Sequence, residues 1–343
     1  MLRSMYSGIS GLKANQTKLD VIGNNIANVS TTAFKGSRVT FSTTLSQTSS
    51  SASAATDSLG GVNGKQIGLG VQIASIDKIM NQGSMQSTSR ALDVAIDGDG
   101  FFMVATGPVL NGIANAAGEE VKVDNNGLGE ITTSTSISYT RDGSFVLDNE
   151  GNLLTATGQR VLGYAINSDS SASGTNIKDD GTLTYVESTD GVTADGSCLV
   201  TLRIPDKITK EFADGTTKDV AIKSYNISSG GLITAVLDTG EIAAIGQLAM
   251  SSFKNTVGLT DNGNNTYSAS GSSGQAILID AVGTPNGNNG AYGDVLQGYL
   301  EMSGVDLSEQ FTDMITTTKA FQAAGKMITN ADEILTEIIN LKR

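Results

Sequence analysis

Apolar side chains near the N-terminus recur at spacings of three and four: Met5, Ile9, Leu12, Leu19, Ile22, Ile26 and Val29, with Gln16 filling one slot. That period places them on one stripe of a helix. The helix is weak by composition. Gly8, Gly11, Gly23, Asn24 and Asn25 all lower helicity, glycine by about 1 kcal/mol against alanine. Such a segment needs a partner to become ordered. At the other end, Leu307, Phe311, Met314, Thr318, Phe321, Ala324, Ile328, Ala331, Leu335 and Ile338 make a heptad seam with one slip at Ala324. Asp306 followed by Glu309 resembles a capping box at its start. From Leu307 to Leu341 this helix is about 50 Å long. A narrow apolar stripe of that length calls for a second long helix.

Between the ends the period changes. Ser42 to Ser58 is polar and reads as a flexible linker or extended segment. From about Gly68 apolar residues alternate, as in Leu69, Val71, Ile73 and again in Leu92, Val94, Ile96. Ser144–Leu147, then Asp148-Asn149-Glu150-Gly151, then Leu153 and Leu154 is a hairpin signal. Further strands are expected at 220–222, 232–237 and 276–279. Ser168–Gly174 and the Asp179-Asp180-Gly181 turn mark a junction. No interval between strands carries a crossover-helix pattern, so the sheets should be antiparallel and the fold α+β. The expected division is a helical unit of 1–35 and 300–343 and an extended linker of 36–69. A central β-domain of 70–166 and 222–299 follows, with 167–221 as a small inserted outer β-domain or hairpin.

Composition narrows the chemistry. The 343 residues include no histidine and no tryptophan, so the commonest general base and metal ligand is missing. One cysteine, Cys198, excludes an intramolecular disulfide and a thiolate zinc cage. Its bland reading is a small half-buried residue in a strand. The sharper one, a thiol for an intermolecular link, lacks an adjacent basic group to activate it. A net charge of −13 argues against a nucleic-acid binder. That charge lies in the middle, because the first 35 residues are basic by three and residues 300–343 acidic by three. Opposite-sign ends suit mutual pairing, and an acidic middle suits a solvated exterior. No apolar run approaches a membrane span, and the first residues lack the apolar core of a secretory signal.

Candidate motifs weigh toward plain structure. Gly60-Gly61-Val62-Asn63-Gly64-Lys65 lacks two residues that a phosphate loop requires. Asp97-Gly98-Asp99-Gly100 reads as a β-turn rather than a calcium loop, since Phe101 occupies a ligand position. Asp93, Asp97 and Asp99 read as turn residues rather than a glycosidase pair, in a chain poor in the aromatics that line sugar sites. Asn24 and Asn25 are read as a solvated face, the alternative being a register-setting polar pair inside a helical assembly.

The segment 11–35, with its core Leu19-Asp20-Val21-Ile22-Gly23-Asn24-Asn25-Ile26-Ala27-Asn28, closely resembles the N-terminal signature of bacterial flagellar rod and hook axial proteins. Residues 296–343 resemble the matching C-terminal signature, through Gly298–Glu301, Ser303–Leu307, Ala320–Ala323 and Asp332–Leu335. Ala95–Phe102 and Tyr139–Phe145 resemble the start of that family's β-domain, and Leu162–Tyr164 and Phe253–Asn255 continue it. Ala33 stands where the family usually has glycine, Gly304 where it usually has asparagine, and Thr318-Lys319 where Gln-Arg is frequent.

The resemblance implies that the terminal helices pair as a coiled coil lining a channel in a helical tube. It also implies a structural, non-enzymatic subunit without cofactor that leaves the cell through the flagellum's own export channel, without a cleaved signal peptide. An extra block containing Leu202-Arg203-Ile204-Pro205, and a hook-type return segment near Ile242–Met250, favour the hook over the distal rod. Implied partners are further copies of the chain, the distal rod protein, the hook cap, the hook–filament junction proteins and the export apparatus. The residues expected to carry assembly are Leu12, Leu19, Ile22, Asn24, Asn25, Ile26 and Val29 on the first helix, with Leu307, Phe311, Met314, Phe321, Ile328, Leu335 and Ile338 on the last.

Overall fold

The computed structural model describes residues 2–55, 60–110, 121–124, 127–131, 135–167, 176–177, 183–188, 193–194, 199–211, 217–279 and 293–341. Cys198 and both halves of the expected 168–181 junction lie outside the described residues. The fold is α+β, with N- and C-terminal helices and a central antiparallel sheet. Two compact units emerge, one of residues 1–81 with 303–343 and one of residues 82–302.

In the helical unit, α1 spans Leu2–Ala27 and α2 spans Leu307–Leu341. The expected cap is present: the Asp306 carboxylate accepts the N–H groups of Ser308 at 2.8 Å and Glu309 at 3.4 Å. These satisfy donors that the first turn otherwise leaves unpaired. The helices run in opposite directions, since Lys18 meets Asp313 and Asn25 meets Gln310, while Gly8 packs beside Ala324 and Ile328.

Part of the stretch expected as a linker is a ribbon. Ser37–Thr43 pairs antiparallel with Val71–Lys78, and Ser46–Ser50 with Lys65–Gly68. Polar composition hid these strands because a two-stranded ribbon offers little apolar burial; all of Ser46–Ser50 and Lys65–Gly68 is exposed. Between α1 and the ribbon, Ala33, Phe34, Lys35 and Gly36 are all buried. The Lys35 ammonium donates to the Asn81 carbonyl at 2.8 Å, and Phe34 accepts the Gly304 N–H.

Ala33 is held at φ 55°, in the left-handed region that an L side chain enters at a cost of about 1–2 kcal/mol. This explains the family's glycine here. A33G should raise stability by about 0.5 kcal/mol, because the relieved strain exceeds the extra chain entropy that glycine brings to the unfolded state. A shift of the urea midpoint upward checks this; a downward shift refutes it.

The β unit is built on one large sheet. Its main path runs 207–211, 217–227, 232–237, 242–248, 160–164, 101–106, 136–140, 266–268 and 260–263. Named strands pair antiparallel throughout, as the missing crossover pattern required. The expected hairpin joins Phe145–Leu147 to Leu153–Thr155. Asp148 closes its turn, accepting the backbone N–H groups of Glu150 and Asn152, and Gly151 adopts φ 83°. Burial pushes the Asp148 carboxyl up, but hydrogen bonds from the Asn152 side chain and the two backbone groups outweigh this and hold it below its usual value.

Strands Val200–Thr201, Lys207–Glu211 and the start of Thr217–Ile227 come from the 167–221 block, and they belong to the same sheet. Leu183, Leu202, Ile204, Ile208 and Val220 share one apolar core with Val94, Phe102, Val104, Phe145 and Ile233. Phe102 and Phe145 meet edge to face at 5.3 Å. Burial pushes the Tyr139 and Tyr267 hydroxyls well above their ordinary range.

Candidate assembly surface

The face that α1 turns toward α2 is made largely of small and polar residues. Gly8, Ala14, Ile22 and Asn25 are its buried positions. A Cβ placed on Gly8 would sit 3.3 Å from the Ile328 side chain, so glycine sets how closely the helices approach there. Asn25 is 2 % exposed and fully engaged. Its Nδ2 donates to the Ser37 carbonyl at 2.8 Å and to Gln310 Oε1 at 3.1 Å, while its Oδ1 accepts the Ser37 N–H at 2.9 Å. One side chain thus fixes α1 against both α2 and the ribbon, because any slip of one turn leaves a buried amide unpaired. Asn24, one residue earlier, is exposed, and the Asn28 side chain donates to it. The asparagine pair thus divides, Asn25 buried and hydrogen-bonded and Asn24 on a solvated face.

Charge complementarity between the ends is realised at Lys18–Asp313, 3.0 Å apart. Both side chains are partly exposed, so the pair contributes about 0–1 kcal/mol and serves alignment more than stability.

The remaining expected positions divide. Ile22 is buried, and Leu12, Leu19, Ile26 and Val29 are half-buried. On α2, Met314, Ile328 and Leu335 are half-buried along the α1 side. Leu307, Phe311, Phe321 and Ile338 are exposed, Phe311 by 50 % and Ile338 by 49 %. Gln310, Thr317, Gly325 and Ala331 complete the inward face instead, with Thr317 and Ala331 buried. The heptad seam included Ala331, but apolar periodicity missed Gln310, Thr317 and Gly325 because they are polar or small. The available signal was Gly8, which weakens an isolated helix yet permits the close approach to Ile328.

Two apolar patches therefore stay open on α2. One is Leu307, Phe311 and Ile315 near its start. The other is Ile334, Ile338, Ile339 and Leu341 in its last two turns, Leu341 being 86 % exposed. Elsewhere, Asp93 pairs with Arg90 at 3.4 Å and Asp97 accepts from Gln82 at 2.9 Å, so both act in local structure. On the surface of the β unit, a hydrogen bond to Lys210 holds the Glu241 carboxyl below its usual value and raises the lysine in turn. Among the described residues no group of three or more acidic, cysteine or histidine side chains is placed to hold a metal, and no helix is long and apolar enough to cross a membrane.

The surface singled out by both pattern and geometry is a helix face, and a protein with such a surface works by packing. Comparison with known proteins names a family. Residues 5–35 match the family "Flagella basal body rod protein", residues 296–341 match "Flagellar basal body rod FlgEFG protein C-terminal", and residues 122–185 match "Flagellar hook protein FlgE/F/G D1 domain". The chain is 39 % identical to the flagellar basal-body rod protein FlgG of Bacillus subtilis over 343 residues, covering all of both chains. It is 30 % identical to the flagellar hook protein FlgE of Borreliella burgdorferi over 449 residues, again covering all of both. The crystal structure of Helicobacter pylori flagellar hook protein FlgE2 superposes with a TM-score of 0.38 at 10 % identity, over 63 % of this chain and 100 % of that one.

The chain belongs to the flagellar rod and hook protein family. It is a structural component of the flagellum, from a family whose members polymerise with other flagellar components in motility.

Proposed function

We propose that this chain is a subunit of the flagellar hook, polymerising into a flexible helical tube that passes motor torque from rod to filament and encloses the export channel. The observation that carries polymerisation is the second apolar face of α2. Leu307, Phe311 and Ile315 lie off the stripe that α1 covers, and the last two turns are open. Covering such patches with further copies extends the helix pair into a coiled-coil core of the tube. The hook reading is supported by the 167–221 block and the return segment near 242–250, whose strands Val200–Thr201, Lys207–Glu211 and Ile242–Leu248 join the large sheet of the β unit. Sliding contacts of a bending joint suit that acidic, glycine-rich surface.

A second reading, the distal rod, is favoured by the 39 % identity to the Bacillus subtilis rod protein, and the longer alignment to the Borreliella hook protein shows that relative to be larger than this chain. In either position the subunit acts without cofactor or catalysis and travels through the flagellar export apparatus without a cleaved signal peptide. In the hook position its neighbours are the distal rod protein below, and the hook cap or hook–filament junction proteins above.

Immunogold electron microscopy of isolated hook–basal bodies, with antibody to residues 70–297, tests this. Gold along the curved external segment is the expected result. Gold confined to the straight segment beneath it makes the chain the distal rod protein. Gold on neither, with antibody shown to bind the native protein, overturns both.

A further inference from the structure

The two motifs Asp97–Phe102 and Tyr139–Phe145 have no part in the helix surface, yet they meet around a buried ion pair. Arg141 and Glu301 lie 3.3 Å apart, with side chains 3 % and 0 % exposed. The Arg141 guanidinium also donates to the Gly100 carbonyl at 2.8 Å and the Gly98 carbonyl at 2.6 Å, and lies over the Phe101 ring. The second oxygen of Glu301 accepts the Gly83 N–H at 2.8 Å. Gln82 grips the same loop from the other side, donating to Asp97 and accepting the Gly98 N–H at 3.2 Å.

These contacts converge on one place in the chain. The β unit begins at Gln82 and ends at Met302. Its incoming segment 83–88 and outgoing segment 298–302 lie side by side, with Met85–Ser87 paired to Tyr299–Glu301. Bonds from Met302 N–H to Ser84 O and from Thr88 N–H to Gly298 O extend the pairing at each end. The neck so formed is only two strands wide, and a two-stranded ribbon is marginal by itself. The glycines of the loop are required: Gly98 and Gly100 sit at φ 122° and 136°, and a Cβ on Gly98 would come 2.7 Å from Gly293.

We propose that Arg141, Glu301 and the 97–100 loop form a clasp that locks the incoming and outgoing strands of the β unit together, so that force entering along the chain meets a closed neck instead of peeling the sheet. The assignment of force as its purpose rests on the torque-transmitting reading above; the locking itself does not. A buried pair in which each guanidinium nitrogen and each carboxylate oxygen has a partner is poor at adding net stability but strongly resists loss of one partner. That is the property a lock needs. Glu301 is a positioning residue in this scheme, acting on the backbone at Gly83 through its own carboxylate.

Hydrogen exchange on the full-length protein tests the lock. Glu301→Gln should accelerate amide exchange in 83–88 and 298–302 by about tenfold or more, and leave 232–248 within about twofold. Equal acceleration in both regions, or none at the neck, overturns the proposal. Should Glu301→Gln fail to fold, Gln82→Ala removes two exposed hydrogen bonds to the same loop and should accelerate the same peptides by about threefold. Pulling the full chain from its termini separates the lock from ordinary stability. The native β unit should open in one event, and the Glu301→Gln unit should show an earlier short extension as the neck parts. Identical traces refute the clasp. If immunogold places the chain outside the flagellar axis, the torque reading falls while these results still stand or fall independently.

Discussion

Removing residues 336–343 is expected to leave the monomer's thermal unfolding unchanged and to abolish its polymerisation. α1 reaches along α2 to about Ala331, the last buried position, and every described residue from Thr336 onward is exposed. The described part of the tail therefore buries little surface in the subunit. Its loss should change stability by less than about 0.5 kcal/mol, as for a surface change. In a polymer the same tail brings Ile338, Ile339 and Leu341 into contact with neighbours. Burying three aliphatic side chains stabilises by about 5 kcal/mol, taking the low end of the per-residue range. At about 1.4 kcal/mol per decade, the concentration needed for polymerisation should rise by about 3.5 orders of magnitude. Light scattering and electron microscopy on the purified protein measure this. Polymer formation at the native concentration would exclude the tail from assembly; a large drop in melting temperature would show that it belongs to the monomer's own core.

Replacing Gly143 with alanine should be the most damaging single substitution in the β unit. A Cβ at this position would lie 1.6 Å from the Val94 carbonyl oxygen, which no rotamer change relieves. Moving Val94 away breaks its N–H bond to the Gly143 carbonyl, 3.0 Å long, and disturbs a side chain buried in the core. The expected loss is about 3 kcal/mol, the upper end for overpacking, because both backbones are held by neighbouring strands. Gly158 is the control. It adopts φ 83° but a Cβ there meets nothing, so its alanine variant should lose only about 1 kcal/mol of backbone strain. Urea unfolding followed by far-ultraviolet circular dichroism compares them. Equal losses would mean that the close approach at Gly143 relaxes freely.

The terminal helices were legible because their periods are long and unbroken by proline, and the predicted start of α2 at Leu307 agrees with its cap. Which face of each helix turns inward was much less legible. Hydrophobic periodicity ranks large residues, whereas the contact at Gly8 depends on a small one and that at Asn25 on an amide with three hydrogen bonds. On α2 two apolar stripes overlap, so a single seam drawn through Leu307 and Phe311 joined residues on different faces. In the middle, the 148–151 turn was readable since Asp148 and Gly151 act locally. Sheet order was not, because strand 160–164 bridges 101–106 and 242–248 through contacts remote in sequence. The Arg141–Glu301 pair spans 160 positions, and nothing local marks either residue as buried.

The unequal lengths of the antiparallel helices have a consequence for growth. α2 outruns α1 at one end only, so among the described residues the helix pair presents a projecting tail at that end and no equivalent helical projection at the other. A tail of that kind cannot be satisfied by a two-fold exchange of identical patches unless both tails meet each other. Covered instead by the flank of a displaced neighbour, it makes a head-to-tail contact that never closes. An array built by such contacts is polar. Its two ends display different surfaces, one offering tails and the other receiving them, so that addition is vectorial and a terminating partner need recognise only one end.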